Sequence, residues 1–191
     1  LDITPVLLTF SPHPKFFFEP TLKNFKINSH ERKRDLLFQM GMTEVVELDF
    51  TGELQQKSAL EFLEEIVFAQ DGLQYLALGH DFALGAGKED SVQQTKNLCA
   101  KYKVHFSQEE SYQFDGEPIS STKIRELIKA GEIETANKAL GRNFKLSGIV
   151  AEGKGIGTKS LFPTLNLNFD QSNLIPGRGV YLSYVRINHR Y

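Results

Sequence analysis

Cysteine is almost missing from this 191-residue chain: Cys99 stands alone, which excludes an internal disulfide framework. No apolar run approaches the roughly 20 residues that a membrane-spanning helix needs, so no membrane association is expected. Residues 1–10 (LDITPVLLTF) lack the basic, apolar and small-residue regions of a secretory signal, and a reducing cytoplasm is the expected compartment. A net positive charge is lacking too: 22 Lys and Arg face 24 Asp and Glu, a formal charge of -2. That gives no reason to expect the electrostatic footprint of a nucleic-acid binder, so a phosphate recognised here is expected on a small molecule. Internal repeats and low-complexity tracts are also lacking. What is present is globular: 40% hydrophobic residues, 24% charged and a mean hydropathy of -0.30. Single domains cluster near roughly 100–150 residues, so this length favours two.

Residues 5–10 (PVLLTF) form a β-type apolar run without alternation, which predicts a strand buried on both faces of a parallel sheet. Ser29 is placed to cap a helix running to about Gly41, with Leu36, Leu37 and Met40 at helical spacing. Residues 44–50 (EVVELDF) read as the next strand. Ser58 and Glu61 have capping-box spacing, and Leu60, Leu63, Val67 and Phe68 continue an apolar face toward Gly72. A strand is expected over 75–82, a helix over about 90–102 and a strand over 104–111. Strands alternating with helices predict a parallel sheet with right-handed crossovers and ligands at the carboxyl ends of the strands.

Two short helices follow, about 121–129 and 133–139, punctuated by Gly131 and Gly141. From Phe144 onward the pattern is β: FKLSGIVAEG and GVYLSYVRI read as strands of a mainly antiparallel unit with Gly and Pro turns. The expected boundary divides the chain into 1–142 and 143–191. A second unit of 49 residues lies near the lower size limit of an isolated domain, so part of it is expected to be absent from the chain.

Four segments carry candidate chemistry. In PISSTKIREL (118–127), Ser120, Ser121 and Thr122 stand at a helix start with Lys123 and Arg125 close behind. Free backbone N–H groups, the positive end of the helix dipole, hydroxyls and cations together make an anion site. Basic residues near a helix N-terminus are unfavourable without an anion, which favours a phosphate over a merely capped surface helix. LTFSPHP (8–14) leaves the first strand into a loop stiffened by Pro12 and Pro14, fixing the direction of His13. A packed or solvated histidine is the plainer alternative. Phe16, Phe17 and Phe18 either face a flat ring system or close a core edge.

LGHDFALGAGKED (78–90) also leaves a strand end; its glycines permit close backbone approach and Asp81 offers hydrogen-bond acceptors. It matches no standard dinucleotide fingerprint, and a flexible loop is the alternative. In GKGIGTKSLFPTLNL (153–167), Gly153, Gly155 and Gly157 let main-chain N–H groups approach a polyphosphate. Thr164 and Asn166 alternate on an extended piece after Pro163 and share a side. A hydroxyl and an amide oxygen are hard ligands, suited to a Mg²⁺ that keeps waters and takes its other ligands from ATP phosphates. The G-K-[ST] ending of a Walker A loop is absent, and a Gly-rich turn leading to an edge strand is the alternative.

Taken in order, these segments resemble the bacterial bifunctional riboflavin kinase/FMN adenylyltransferase family, often called FAD synthetase. LTFSPHP, GHDFALG and ISSTKIR look like successive motifs of its adenylyltransferase domain, and GKGIGTKSLFPTLNL and PGRGVY like the start of its flavokinase domain. The resemblance covers essentially the whole chain. It implies an α/β nucleotidyltransferase-like (Rossmann-like) parallel-sheet domain over 1–142, then the amino-terminal part of a β-barrel flavokinase domain over 143–191. It implies FAD biosynthesis, with riboflavin phosphorylated by ATP to FMN and FMN adenylylated to FAD, Mg²⁺ as the metal and only small molecules as partners. Homo-oligomerisation is left open. Carried over, Ser121, Thr122 and Arg125 would hold ATP phosphates, with His13 and Asp81 near that substrate pocket. Gly153, Gly155 and Gly157 would form the kinase phosphate loop, and Thr164 and Asn166 would bind Mg²⁺ and the ATP phosphates.

Three departures accompany the resemblance. The family's first strand normally leads into G-x-F-D-G-x-H-x-G-H, whose histidines contact the reacting phosphate, and the 191 residues hold no such motif. The kinase glutamate is expected beyond Tyr191, and Lys88 and Asp90 stand where arginine and glycine are usual. No catalytic residue is therefore assigned within the chain, which is expected to be part of a longer protein. If the 191 residues were everything, neither reaction would be expected at a useful rate, although nucleotide could bind. Two other readings stay open: a single-function adenylyltransferase for another cofactor, and a degenerate, non-catalytic flavin- or nucleotide-binding module.

Overall fold

The computed structural model describes residues 3–85, 91–151 and 165–187. Contacts divide the chain into two compact units, Leu1–Leu22 with His30–Pro118 and Lys23–Ser29 with Ile119–Tyr191.

In the first unit, β1 (Val6–Ser11) pairs in parallel with β2 (Glu44–Asp49), in register from Val6 opposite Glu44 to Ser11 opposite Asp49. Between them lie α1 (Pro14–Phe18) and α2 (His30–Gln39). The stretch after β1 is a short helix rather than the expected loop, because Pro14 supplies a helical φ at the first position and His13 caps it. Gly41 follows α2 at φ +96°, the left-handed position expected of it. Thr51 caps α3 (Gly52–Gln56), which has too few residues to show a period. The capping box is formed as expected at α4 (Ala59–Phe62): Glu61 N donates to Ser58 Oγ at 3.2 Å, and Ser58 N to Glu61 Oε2 at 2.8 Å. The chain then widens into a π-helical turn over Leu63–Val67.

A second parallel pair joins β3 (Tyr75–Leu78) to β4 (His105–Gln108) through α5 (Ser91–Tyr102), whose Thr95, Leu98 and Cys99 are buried. A small hairpin of β5 (Gln113–Phe114) and β6 (Glu117–Pro118) turns at Asp115 and Gly116, both at positive φ. The expected single parallel sheet is observed as two parallel pairs, with no ladder joining them among the described residues. Nor is β1 buried on both faces. Val6 and Leu8 are exposed while Leu7 and Thr9 are half-buried, the period-two signature of a strand with one uncovered face.

In the second unit, α6 (Ser121–Ala130) and α7 (Ile133–Leu140) end at Gly131 (φ +84°) and Gly141 (φ +65°). Ile124 and Ile128, one helical turn apart, meet Ala136 and Leu174 in a core in which the last three are fully buried. Burying an aliphatic side chain stabilises by roughly 1.5–3 kcal/mol, so these few residues dominate the unit. Residues 23–29 join it through Asn24 N to Gln171 O, Phe25 N to Ser172 O and Leu174 N to Lys26 O, all 2.8–2.9 Å. An antiparallel pair, β7 (Ile149–Ala151) and β8 (Asn166–Asn168), places Ala151 opposite Asn166. The strand expected within 179–187 is not formed. No ladder partner lies beside it among the described residues, and Val180, Leu182 and Tyr184 stand fully exposed.

Candidate functional site

His13 and Asp81 both lie just after parallel strands of the first unit, His13 after β1 and Asp81 after β3. His13 is exposed and serves as a helix cap: its Nδ1 accepts from Lys15 N at 3.1 Å, which assigns that nitrogen as the acceptor. Its ring stands edge-on to Phe16 at 6.5 Å. Asp81 is strongly exposed and lies 4.0 Å from His80 Nδ1 rather than against His13. Phe17 and Phe18, both exposed, meet Phe50 at 5.4 and 6.1 Å between ring centres, and Phe50 in turn meets Phe10 at 5.5 Å.

Ser121, Thr122 and Arg125 come together at the start of α6, in the second unit. The cap is Ser120, whose Oγ accepts from Lys123 N at 3.2 Å, while Ile124 N donates to Ser120 O. That leaves the amides of Ser121 and Thr122, the first two of the helix, without a protein acceptor among the described residues. Both residues are exposed, so two hydroxyls and two amides share the positive end of the dipole.

Arg125 sits one turn further on and is half-buried. Its Nε donates to the Phe25 carbonyl at 2.8 Å, and its guanidinium carbon lies 3.8 Å from the centre of the Phe25 ring. Burial lowers its pKa from the ordinary arginine value, and a guanidinium keeps its charge in proteins. Phe25 is the partner that sequence reasoning missed. It lies 100 positions away, and no motif or period marks it.

Asn166 opens β8 and is exposed, and among the described residues its carboxamide has no protein partner. Beside this strand runs an open groove of about 390 Å³, lined on its polar side by Lys23, Asn24, Asn168 and Gln171. Gly153, Gly155, Gly157 and Thr164, with Lys88 and Asp90, lie outside the described residues. Of the expected metal ligands Asn166 alone lies among the described residues, and its exposed, hard carboxamide oxygen fits a Mg²⁺ held mainly by water and phosphate. Among the described residues no group of three or more His, Cys, Asp or Glu surrounds a common point, and no helix is long and apolar enough to cross a membrane.

Comparison with known proteins adds an independent finding. A family model described as FAD synthetase matches residues 1–123, and one described as riboflavin kinase matches 140–191. The chain is 27% identical over 188 residues to a bifunctional riboflavin kinase/FMN adenylyltransferase of Pseudomonas fluorescens, covering 98% of this chain and 60% of the relative. A protein of the same description from Listeria monocytogenes is 29% identical, with 95% and 58% covered. The chain thus spans about three fifths of the length of the curated relatives it matches. Among solved structures, one described as a macrolide-efflux protein from Streptococcus pneumoniae superposes with a TM-score of 0.79 at 29% identity, covering 93% of this chain and 58% of that one.

Proposed function

The chain belongs to the FAD synthetase family, and on that premise we propose that the protein carrying it makes FAD in two ATP-dependent steps. The residue 140–191 region serves the first, phosphorylation of riboflavin to FMN, and the region before it serves the second, adenylylation of FMN. The division by activity is placed near residue 142, although residues 119–142 pack with the second compact unit. In this reading the β7–β8 pair is the described part of a flavokinase β-barrel, the partners are small molecules and the compartment is the cytoplasm.

The observation that carries the proposal is the start of α6, where the Ser121 and Thr122 amides have no protein acceptor among the described residues, both hydroxyls are exposed and Arg125 follows one turn on. These groups hold the ATP phosphates while an FMN phosphate oxygen attacks the α-phosphorus and pyrophosphate leaves. They bind and orient, and they stabilise the charge that builds on the phosphoryl oxygens. His13 and Asp81, from the first unit, are proposed to contact the substrates of this step.

In the kinase step the terminal ribityl hydroxyl of riboflavin attacks the γ-phosphorus, losing its proton as ADP leaves. Gly153, Gly155 and Gly157 are proposed to cradle the phosphates with main-chain N–H groups, and Thr164 and Asn166 to hold Mg²⁺. The metal, when bound, supplies neutralisation of charge on the transferred phosphoryl group.

Paired substitutions test the division of labour. Arg125→Ala should lower FMN adenylylation by roughly a hundredfold and spare riboflavin phosphorylation. Asn166→Ala should do the reverse. Both followed by flavin chromatography, a swapped or shared loss would sink the assignment.

A further inference from the structure

Arg125 is held in two independent ways by one residue. The Phe25 ring lies against the guanidinium at 3.8 Å, a van der Waals stacking distance, and fixes the plane of the cation. The Phe25 carbonyl accepts from Nε at 2.8 Å and fixes how the cation is turned within that plane. An arginine carries five N–H donors in a rigid fork, and this geometry commits one. Among the described residues the four Nη hydrogens have no protein acceptor.

The platform is itself anchored. Phe25 N and Lys26 N both donate to Ser172 O, at 2.9 and 2.8 Å, and Leu174 N donates to Lys26 O at 2.8 Å. Leu174 is fully buried in the core that also contains Ile128 of α6. Phe25, Arg125 and Ser172 all lie in the same compact unit, so the helix bearing the arginine and the segment bearing the ring share one core. Phe25 is 8% exposed, so its ring is held within the unit rather than in solvent. A half-buried guanidinium with an apolar face and a satisfied Nε loses rotamer freedom before any ligand arrives, which lowers the entropy cost of binding one.

We propose that Phe25 is a positioning residue for Arg125, orienting the guanidinium so that its Nη edge meets a phosphate of ATP. The inference rests on the reading that Arg125 meets that phosphate, and it predicts a dependence that a residue merely supporting the fold would not show. The effect of the ring must pass through the arginine.

ATP is titrated calorimetrically into the chain and into Phe25→Leu, Phe25→Tyr, Arg125→Ala and the Phe25→Leu/Arg125→Ala double variant. Each substitution at Phe25 keeps the main-chain carbonyl, so at that position only the ring is varied. Phe25→Leu is expected to weaken ATP by about threefold to thirtyfold, the range of a cation–π contact from exposed to desolvated, and Phe25→Tyr to restore it. In the Arg125→Ala background Phe25→Leu is expected to cost nothing further. An equal loss in both backgrounds, or a Phe25→Leu chain that binds ATP normally while Arg125→Ala does not, would overturn the positioning role.

ATP affinity unchanged by Arg125→Ala would overturn the phosphate reading and the positioning with it, as would an unmodified chain that does not bind ATP. Should Phe25→Leu fail to fold, the unmodified chain still decides. Its Arg125 Nε–H resonance should be slow to exchange both before and after ATP is added. A freely exchanging resonance in both states would contradict the arrangement.

Discussion

Gly177→Ala is expected to destabilise the second unit, for a reason that lies in the last turn of α6. A methyl group at position 177 would stand 2.5 Å from the carbonyl oxygen of Lys129, 3.3 Å from Gly131 N and 3.4 Å from the Ala130 carbonyl carbon. All three are backbone atoms, and the turn is pinned by Gly131 N to Ile128 O at 3.0 Å and Glu132 N to Leu127 O at 2.9 Å. Relief therefore falls on residue 177, which must retreat by roughly 0.9 Å to reach ordinary contact at 3.4 Å. Retreat stretches its own bond, Gly177 N to Ile128 O at 3.0 Å, which contributes about 1 kcal/mol. It also pulls on Leu174, three residues upstream and fully buried.

Overpacking of this kind costs about 1–3 kcal/mol, and the lower chain entropy of alanine when unfolded returns about 0.4–1 kcal/mol. With about 1 kcal/mol for the stretched hydrogen bond included, the net loss is about 1–3.6 kcal/mol, or a thermal midpoint lower by roughly 2–14 °C for a chain of this size. Gly52→Ala is the control. It sits at the first position of α3 with only Phe17 Cζ near, at 3.9 Å, and should leave the midpoint unchanged or raise it. Thermal melts by circular dichroism decide, and equal midpoints for Gly177→Ala and the unmodified chain would refute the clash.

Two further expectations follow from the polar contacts. Ser58→Ala removes the hydroxyl half of the capping box at α4, so the thermal midpoint should fall by about 2–4 °C; no change would mean that the cap does not hold the helix. Asp170 is held below the ordinary value of 3.8, first by the Ser172 amide at 2.9 Å, then by the Ser172 hydroxyl at 2.8 Å. Its contribution to stability is therefore present above pH 3.8 and lost as pH falls through the lower folded-state value. In an NMR titration the carboxyl should protonate below 3.8 and move part of the way back in Ser172→Ala; titration at the ordinary value would refute the contact.

Local punctuation was readable from sequence because each signal acts within a turn. Ser58 and Glu61 formed their box, and Gly41, Gly131 and Gly141 took left-handed stops after helices whose apolar spacing is also local. The Asp115-Gly116 turn carried a readable signal that the apolar pattern overshadowed, since only two residues on each side pair. What local reasoning could not supply was the number of ladders each strand finds. That left PVLLTF with one exposed face and GVYLSYVRI without a ladder partner among the described residues. The candidate site divides in the same way. The α6 phosphate signals are all local to that helix, whereas the Phe25 contact with Arg125 depends on tertiary packing across 100 residues.

The most direct test is to purify the longer protein expected to carry this chain, incubate it with riboflavin, ATP and Mg²⁺ and separate the flavins by chromatography. The account predicts FMN followed by FAD, with one ATP consumed at each step. Riboflavin left unchanged, together with no measurable ATP binding, would contradict it.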